Sequence, residues 1–271
     1  MFRPLVAIGM LVAATGLSGA WLQADDPPPA KTTQPKAATA VGAPQVAERW
    51  YKAGHGEDHS GYFHVTQEKS KALDVPIVFT HEIVEAHEGR RASLTIKVFC
   101  KDNPYFTPVR LVSTGGCGAT PYTARIQWRP DKTGELLGMF ADGGPADGTG
   151  TESDPPLTEN TVACFVVFDI VQRLPFDKGA TFAFHFLDEL ELNIDRNCKI
   201  SYRGTEKITL EGKEVQLHHF EQKGGNMKPV QYWVNDKHEL VRVVTDGELL
   251  LTDEAGAKAV LDAALRKQGR E

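Results

Sequence analysis

Cysteine is scarce in this chain: Cys100, Cys117, Cys164 and Cys198 are the four among 271 residues, and none form a CxxC pair. That spacing excludes a zinc ribbon and a thioredoxin-type redox centre. The sequence also has no GxSxG elbow, and Cys164 stands in surroundings too apolar to form a thiolate easily, so nucleophilic catalysis finds no support. Clustered Lys and Arg are missing as well. Lys and Arg number 30 against 36 Asp and Glu, for a formal charge of −6, which argues against nucleic acid or an anionic lipid surface as a partner. No period of 20–50 residues repeats, so propellers and solenoids are excluded.

One charge-free run is present, at the start. Arg3 is followed by seventeen residues without a charge, Leu5 to Trp21, with Ser18 and Ala20 at −3 and −1 of one cleavage option and Leu22 and Ala24 offering a second. This is the pattern of a secretory signal over residues 1–24. Left uncleaved it would tether the protein to a membrane, although its length is at the bottom of the ~17–25 residues that span a bilayer, and Gly9, Gly16 and Gly19 weaken such a helix. The expected address is therefore periplasmic or extracellular. Residues 25–46 hold Pro, Ala, Thr and Lys with little to bury, as a disordered linker does.

The folded part begins near residue 47 and runs to about 254. Its centre is 157–187, LTENTVACFVVFDIVQRLPFDKGATFAFHFL. Val162 to Val171 is apolar on every side, which predicts a buried helix with Thr158 as its N-cap and Pro175 and Gly179 as its stop. Phe182, Phe184 and Phe186 then alternate with Ala183, His185 and Leu187, placing three rings on one strand face. Strands with period-two patterns precede and follow it. Ile77 to His87 and Ala92 to Lys101 are joined at Glu88-Gly89, and Glu239 to Thr245 turns at Asp246-Gly247 into Glu248 to Thr252. Residues 47–53 are expected to be a short helix anchored by Trp50 and Tyr51, and 255–271 a C-terminal helix. Residues 142–156, rich in Gly, Pro and acids, read as a mobile surface loop. They lack the spacing of a calcium loop. The expected fold is mainly β (α+β): a curved antiparallel half-barrel of about ten strands cupping one buried helix. A Cys100–Cys117 disulfide is the pairing favoured for this exported chain.

The chemistry-bearing residues are few. His81-Glu82-Ile83-Val84-Glu85-Ala86-His87 is not HExxH, and on a strand His81 and Glu85 would sit about 13 Å apart, too far to share one ion. His55 and His59 in the HGEDH stretch are the remaining metal candidates. His218 and His219 point to opposite faces of a strand. Asp169, inside the apolar helix, would have its pKa raised by burial unless paired, and Arg173 one turn on is the expected partner. Phe165, Phe168, Phe182, Phe184, Phe186 and Trp233 could line a cavity for a hydrophobic ligand, or could fill the core.

Three stretches, TPVRL at 107–111, FDIVQRLPFDKG at 168–179 and VQYWVNDKHELVRVVTDGELLLT at 230–252, resemble an uncharacterised family of exported bacterial proteins with a domain of unknown function. The landmarks are Leu174, Pro175, Gly179, Trp233 and Val241-Arg242-Val243. Leu240 stands where the family usually has Pro, and 142–156 looks like an insertion. That family is similar in shape to periplasmic lipoprotein-carrier proteins, whose curved sheet (a β-clam) cups a helix. The resemblance implies a fold and, since the family has no established activity, no catalytic residue or cofactor. The reading is a non-enzymatic envelope protein binding a lipid or other hydrophobic molecule, or an envelope protein partner. Its rivals are a structural or protein-interaction module and a metal-dependent hydrolase centred on His55 and His59.

Overall fold

The computed structural model describes residues 48–55, 58–70, 76–117, 120–130, 136–142, 151–188, 193–224 and 228–269, with 117–156 and 193 as backbone alone. The expected export signal and linker, and residues 143–150 of the acidic stretch, lie outside the described residues.

Among the described residues fifteen strands form one sheet. In chain order they are β1 Glu48–His55, β2 Asp58–Lys69, β3 Ile77–His87, β4 Arg90–Cys100, β5 Pro108–Cys117, β6 Thr120–Pro130, β7 Leu136–Asp142, β8 Thr151–Leu157, β9 Thr161–Ala163, β10 Thr181–Asp188, β11 Asn193–Leu210, β12 Lys213–Lys223, β13 Val230–Val234, β14 Leu240–Val244 and β15 Glu248–Thr252. A 3-10 turn at Cys164–Val166 leads into helix α1, Val167–Val171, and helix α2 spans Glu254–Gln268. Neighbours in the sheet are neighbours in the chain, except that β1 pairs with β15, which leaves β8 and β9 as the edges. A sheet this long must curl, because strand twist accumulates. From β9 round through β15 and β1 to β5 it nearly closes into a barrel: the Thr107 hydroxyl, just ahead of β5, donates to the Glu159 carbonyl just ahead of β9. Strands β6 to β8 continue the sheet beyond β5.

The mainly β, barrel-like architecture with few helices agrees with the expectation, and it is more complete than a half-barrel of ten strands. Inward residues alternate along β3 and β4. On β3 Ile77, Phe79, His81 and Ile83 are buried in the interior, while Val84 and Ala86 are buried on the outside beneath α2. That helix starts at Asp253, whose carboxylate accepts from the Gly256 N–H at 2.7 Å as an N-cap. Its Ala257 and Leu261 pack on Tyr62, Val84 and Ala86. Beneath it β2 and β3 approach closely at Gly61, where a Cβ would stand 2.1 Å from the Val84 carbonyl oxygen.

Five local expectations change. Residues 48–55 are strand β1, since Arg49, Tyr51 and Ala53 turn inward between β2 and β15; ladder pairing on both sides overrides helix propensity. The central helix is shorter than the apolar run, because Thr161–Ala163 pairs in parallel with β10. Thr158 is no N-cap: its hydroxyl bonds Asn160 and the His185 ring. Residues 151–156 of the acidic stretch, together with Leu157, form strand β8 against β7. Finally, Cys100 sits opposite Pro108 and Cys117 opposite Ala92, at the two ends of the β4–β5 ladder. Eight residues of strand put them about 26 Å apart, and a disulfide bridges Cα atoms no more than about 7 Å apart.

Candidate functional site

The interior of the barrel is filled by α1 and the turn before it. Cys164 to Val171 are all buried. Phe165 lies 5.4 Å from Phe63 and 6.1 Å from Phe168 between ring centroids, and Phe168 meets Phe63 edge-on at 5.5 Å. Phe182, Phe184 and Phe186 run along β10 in contact with one another, at 5.7 and 6.5 Å, and join the same core. Trp233 does not. It packs with Ile208 and Leu217 in a separate cluster, stacked on His219 at 5.0 Å, with its indole N–H donating to Glu206. Of the six expected ligand-lining residues, five share one core and the sixth stands apart from it.

The two metal candidates are not brought together. In the β1–β2 ladder Gly54 faces His59 and His55 faces Asp58, so His55 and His59 project to opposite sides of the sheet. His55 Nδ1 meets the Asp246 carbonyl at 3.0 Å, and His59 lies 3.7 Å from Glu248. Among the described residues no group of three or more His, Cys, Asp or Glu is arranged to hold a metal ion. His218 and His219 likewise diverge: His218 stacks on Phe176 at 3.5 Å, against the partners of His219 around Trp233. Phe176, within the LPFDKG turn, is held between His218 and His238, the latter at 4.2 Å. Gly179 closes that turn at φ +97°, a conformation that favours glycine.

What the sequence did not assemble is a polar cluster inside this apolar barrel. Arg49 on β1 forms a buried ion pair with Asp169 on α1 and donates from Nη1 to Gln172 Oε1 at 2.9 Å. Gln172 also accepts from the Leu240 N–H at 3.2 Å and donates to the Phe168 carbonyl at 2.8 Å, tying the end of α1 to β14. The expected partner, Arg173, instead donates to Gln67 and lies over the Phe106 ring at 4.3 Å. The reason is direction: Asp169 turns into the barrel towards β1, and Arg173 leaves α1 after its last turn.

Register puts a histidine beside this pair. Arg49 faces Val65 across β1–β2, and Val65 faces His81 across β2–β3. Arg49 and His81 therefore share a rung, with backbones about 10 Å apart. The His81 ring is fully buried, parallel to Phe63 and Phe79 at 5.8 and 6.2 Å. Burial, and then the nearby Arg49 charge, push its pKa down to about 3, so it is neutral. Tyr51, one rung further in, is 1% exposed, and burial drives its phenol pKa upward. Desolvation works against the Arg49 charge, yet Asp169 and Tyr51 raise its pKa on balance. Five atoms here have no hydrogen-bond partner among the described residues: Arg49 Nε, Tyr51 OH, His81 Nδ1 and Nε2, and Asp169 Oδ2. Outside, Arg49 and Gln172 form part of the wall of a cleft of about 350 Å³, with Trp50, Leu251 and Thr252 and four acids, Glu48, Glu239, Asp253 and Glu254.

Glu85, at the far end of β3, is a second perturbed group. Burial raises its pKa from 4.5 to about 7, against the pull of His55. Between those values the folded protein holds a proton that the unfolded chain releases, so this group's contribution to stability falls as pH rises from 4.5 to 7. Glu85→Gln should therefore gain in melting temperature relative to the parent across that window, with little difference at pH 4 and a plateau above pH 7. Paired thermal unfolding curves from pH 4 to 8 measure it.

No family model matches the sequence, and no curated protein matches it. Among solved structures the chain is similar to the crystal structure of a beta-barrel-like protein of domain of unknown function DUF1849 from Brucella abortus, with 5% identity and a TM-score of 0.47, over 76% of this chain and 95% of that one.

Proposed function

We propose that this chain is a non-enzymatic, exported envelope protein that binds a hydrophobic molecule on the concave side of its sheet. The observation that carries the reading is the set of five unpartnered polar atoms on four buried residues around Arg49 and Asp169. Each such atom costs about 1–3 kcal/mol when left unsatisfied. A core selected only for stability would replace them with apolar groups of the same shape. The cleft beside Arg49 and Gln172 supports entry at this end of the barrel. Cys198, whose thiol burial pushes up to about 12, is an unreactive side chain rather than a nucleophile. Export rests on Arg3, the run Leu5 to Trp21 and the small residues Ser18 and Ala20.

A second reading, a protein-interaction module, is favoured by a different feature. Ile208, Leu217 and Trp233, with Leu210, Val215, Val241 and Val244 against them, form an apolar patch separate from the barrel core. Titration with the uncharged fluorophore N-phenyl-1-naphthylamine separates the two. The ligand-binding reading expects saturable enhancement that Trp233→Gln leaves unchanged. No enhancement, or enhancement abolished by Trp233→Gln, overturns it in favour of the outer patch.

A further inference from the structure

Resting on that ligand-binding reading, we infer that the ligand is an amphiphile with an uncharged polar head, an alcohol or amide, bound among Arg49, Tyr51, His81 and Asp169. The first argument is charge. Arg49 and Asp169 cancel as an ion pair, and the two other members, Tyr51 and His81, are neutral at neutral pH because burial opposes their charged forms. Further out, the positive Arg173 is balanced by the negative Glu239, each of which acts on a member of the cluster. A carboxylate, phosphate or ammonium brought into this set would be a net buried charge with no counterion, which is the most unfavourable occupant such a site can have.

The second argument is hydrogen-bonding valence. Arg49 Nε offers a donor, Asp169 Oδ2 an acceptor, and Tyr51 OH and the two His81 nitrogens can serve as either. A hydroxyl or carboxamide both donates and accepts, so it can satisfy several of these atoms at once. A carboxylate only accepts and would leave Asp169 Oδ2 facing another anion. The entrance adds discrimination against anions. The cleft at Arg49 is walled by Glu48, Glu239, Asp253 and Glu254, all acids, which repel an anionic head before it reaches the barrel. The apolar part of the ligand has its place inward of the head, against the rings of Phe63 and Phe165 beside His81 and of Phe168 next to them. Those rings are packed on one another, so the chain enters only as α1 is released from its ties to β1 and β14 through Asp169 and Gln172.

The test is displacement of N-phenyl-1-naphthylamine from the mature protein at pH 7.5 by 1-dodecanol, dodecanoate and dodecyltrimethylammonium, which share one chain length. Dodecanol should displace at a concentration about ten-fold or more below either charged amphiphile. Tyr51→Phe and His81→Leu should each weaken dodecanol about 3–10-fold, as loss of one hydrogen bond does, while binding of the fluorophore persists and shows that the variants are folded. Equal or tighter displacement by dodecanoate or dodecyltrimethylammonium, no displacement by dodecanol, or an unchanged dodecanol preference in both variants overturns the head-group assignment and leaves the ligand-binding reading standing. A parent protein that does not bind the fluorophore at all overturns both.

Discussion

Asp169→Ala should destabilise the fold by about 3–5 kcal/mol. The carboxylate is 2% exposed and forms an ion pair with Arg49, which is 8% exposed and also donates to Gln172, the residue that follows α1. Removing the anion leaves a guanidinium buried in an apolar barrel without a counterion, and arginine does not escape by losing its proton. The loss exceeds the value of the pair itself, since it is mostly the penalty on the abandoned charge. The double variant Arg49→Met, Asp169→Leu should accordingly be far closer to the parent than Asp169→Ala is, because a buried pair replaced by apolar groups of similar volume is often neutral. Urea unfolding of the parent, both single variants and the double variant gives the coupling energy. Single variants whose effects simply add would contradict the contact.

Phe165→Ala should cost about 3–5 kcal/mol through the cavity it leaves. This ring is fully buried at the centre of the barrel, in contact with Phe63, His81 and Phe168. Collapse around the gap is limited on both sides. Strand β2 is fixed by its ladders to β1 and β3, and α1 is tied to β1 and β14 through Asp169 and Gln172. Trp233→Ala should cost less, because its cluster is smaller and shares none of these constraints. Equilibrium unfolding of the two variants ranks them. A smaller loss at Phe165 than at Trp233 would mean that the interior is looser than its packing here.

Much of the sheet was legible because period-two alternation is a local property. Ile77–His87 and Glu248–Thr252 fall where the pattern placed them, and so does the helix Glu254–Gln268. The failures fall where a distant partner decides. Residues 47–53 carry helix-compatible residues, and the ladders to β2 and to β15, the latter nearly 200 residues away, make 48–53 part of a strand. Val162 and Ala163 belong to a continuous apolar run, and their parallel pairing with β10 cannot be distinguished from helix by periodicity. The acidic stretch hid β8 because Gly and Pro dominate its composition.

The candidate site was half legible for the same reason. Phe165, Phe168, Phe182, Phe184 and Phe186 announce a core by composition, and Asp169 announces itself as a polar residue in an apolar run. Its partner is 120 positions away in sequence, beyond the reach of any helical spacing rule, so Arg173 was the nearest cation in view. His81 looked like an ordinary strand histidine because its neighbours in sequence say nothing of Arg49 two strands over. One local signal was there: Arg49, Tyr51 and Ala53 alternate with Trp50 and Lys52, and read as a strand they put an arginine on an inward face. Residues in the stretches that carry the resemblance make contacts that build the fold. Thr107 bonds Asn103 and Glu159, and Trp233 faces Arg242 across β13–β14 with the guanidinium 5.1 Å from its ring.

The most direct test of the account is native mass spectrometry of the mature chain, purified from a bacterial periplasm without detergent. The prediction is an added mass that organic solvent extracts, that chelator leaves in place, and that corresponds to an uncharged amphiphile. A bare chain from the same preparation would contradict the account. An adduct that chelator removes would contradict it too, and would return attention to the histidines at the end of β1 and the start of β2.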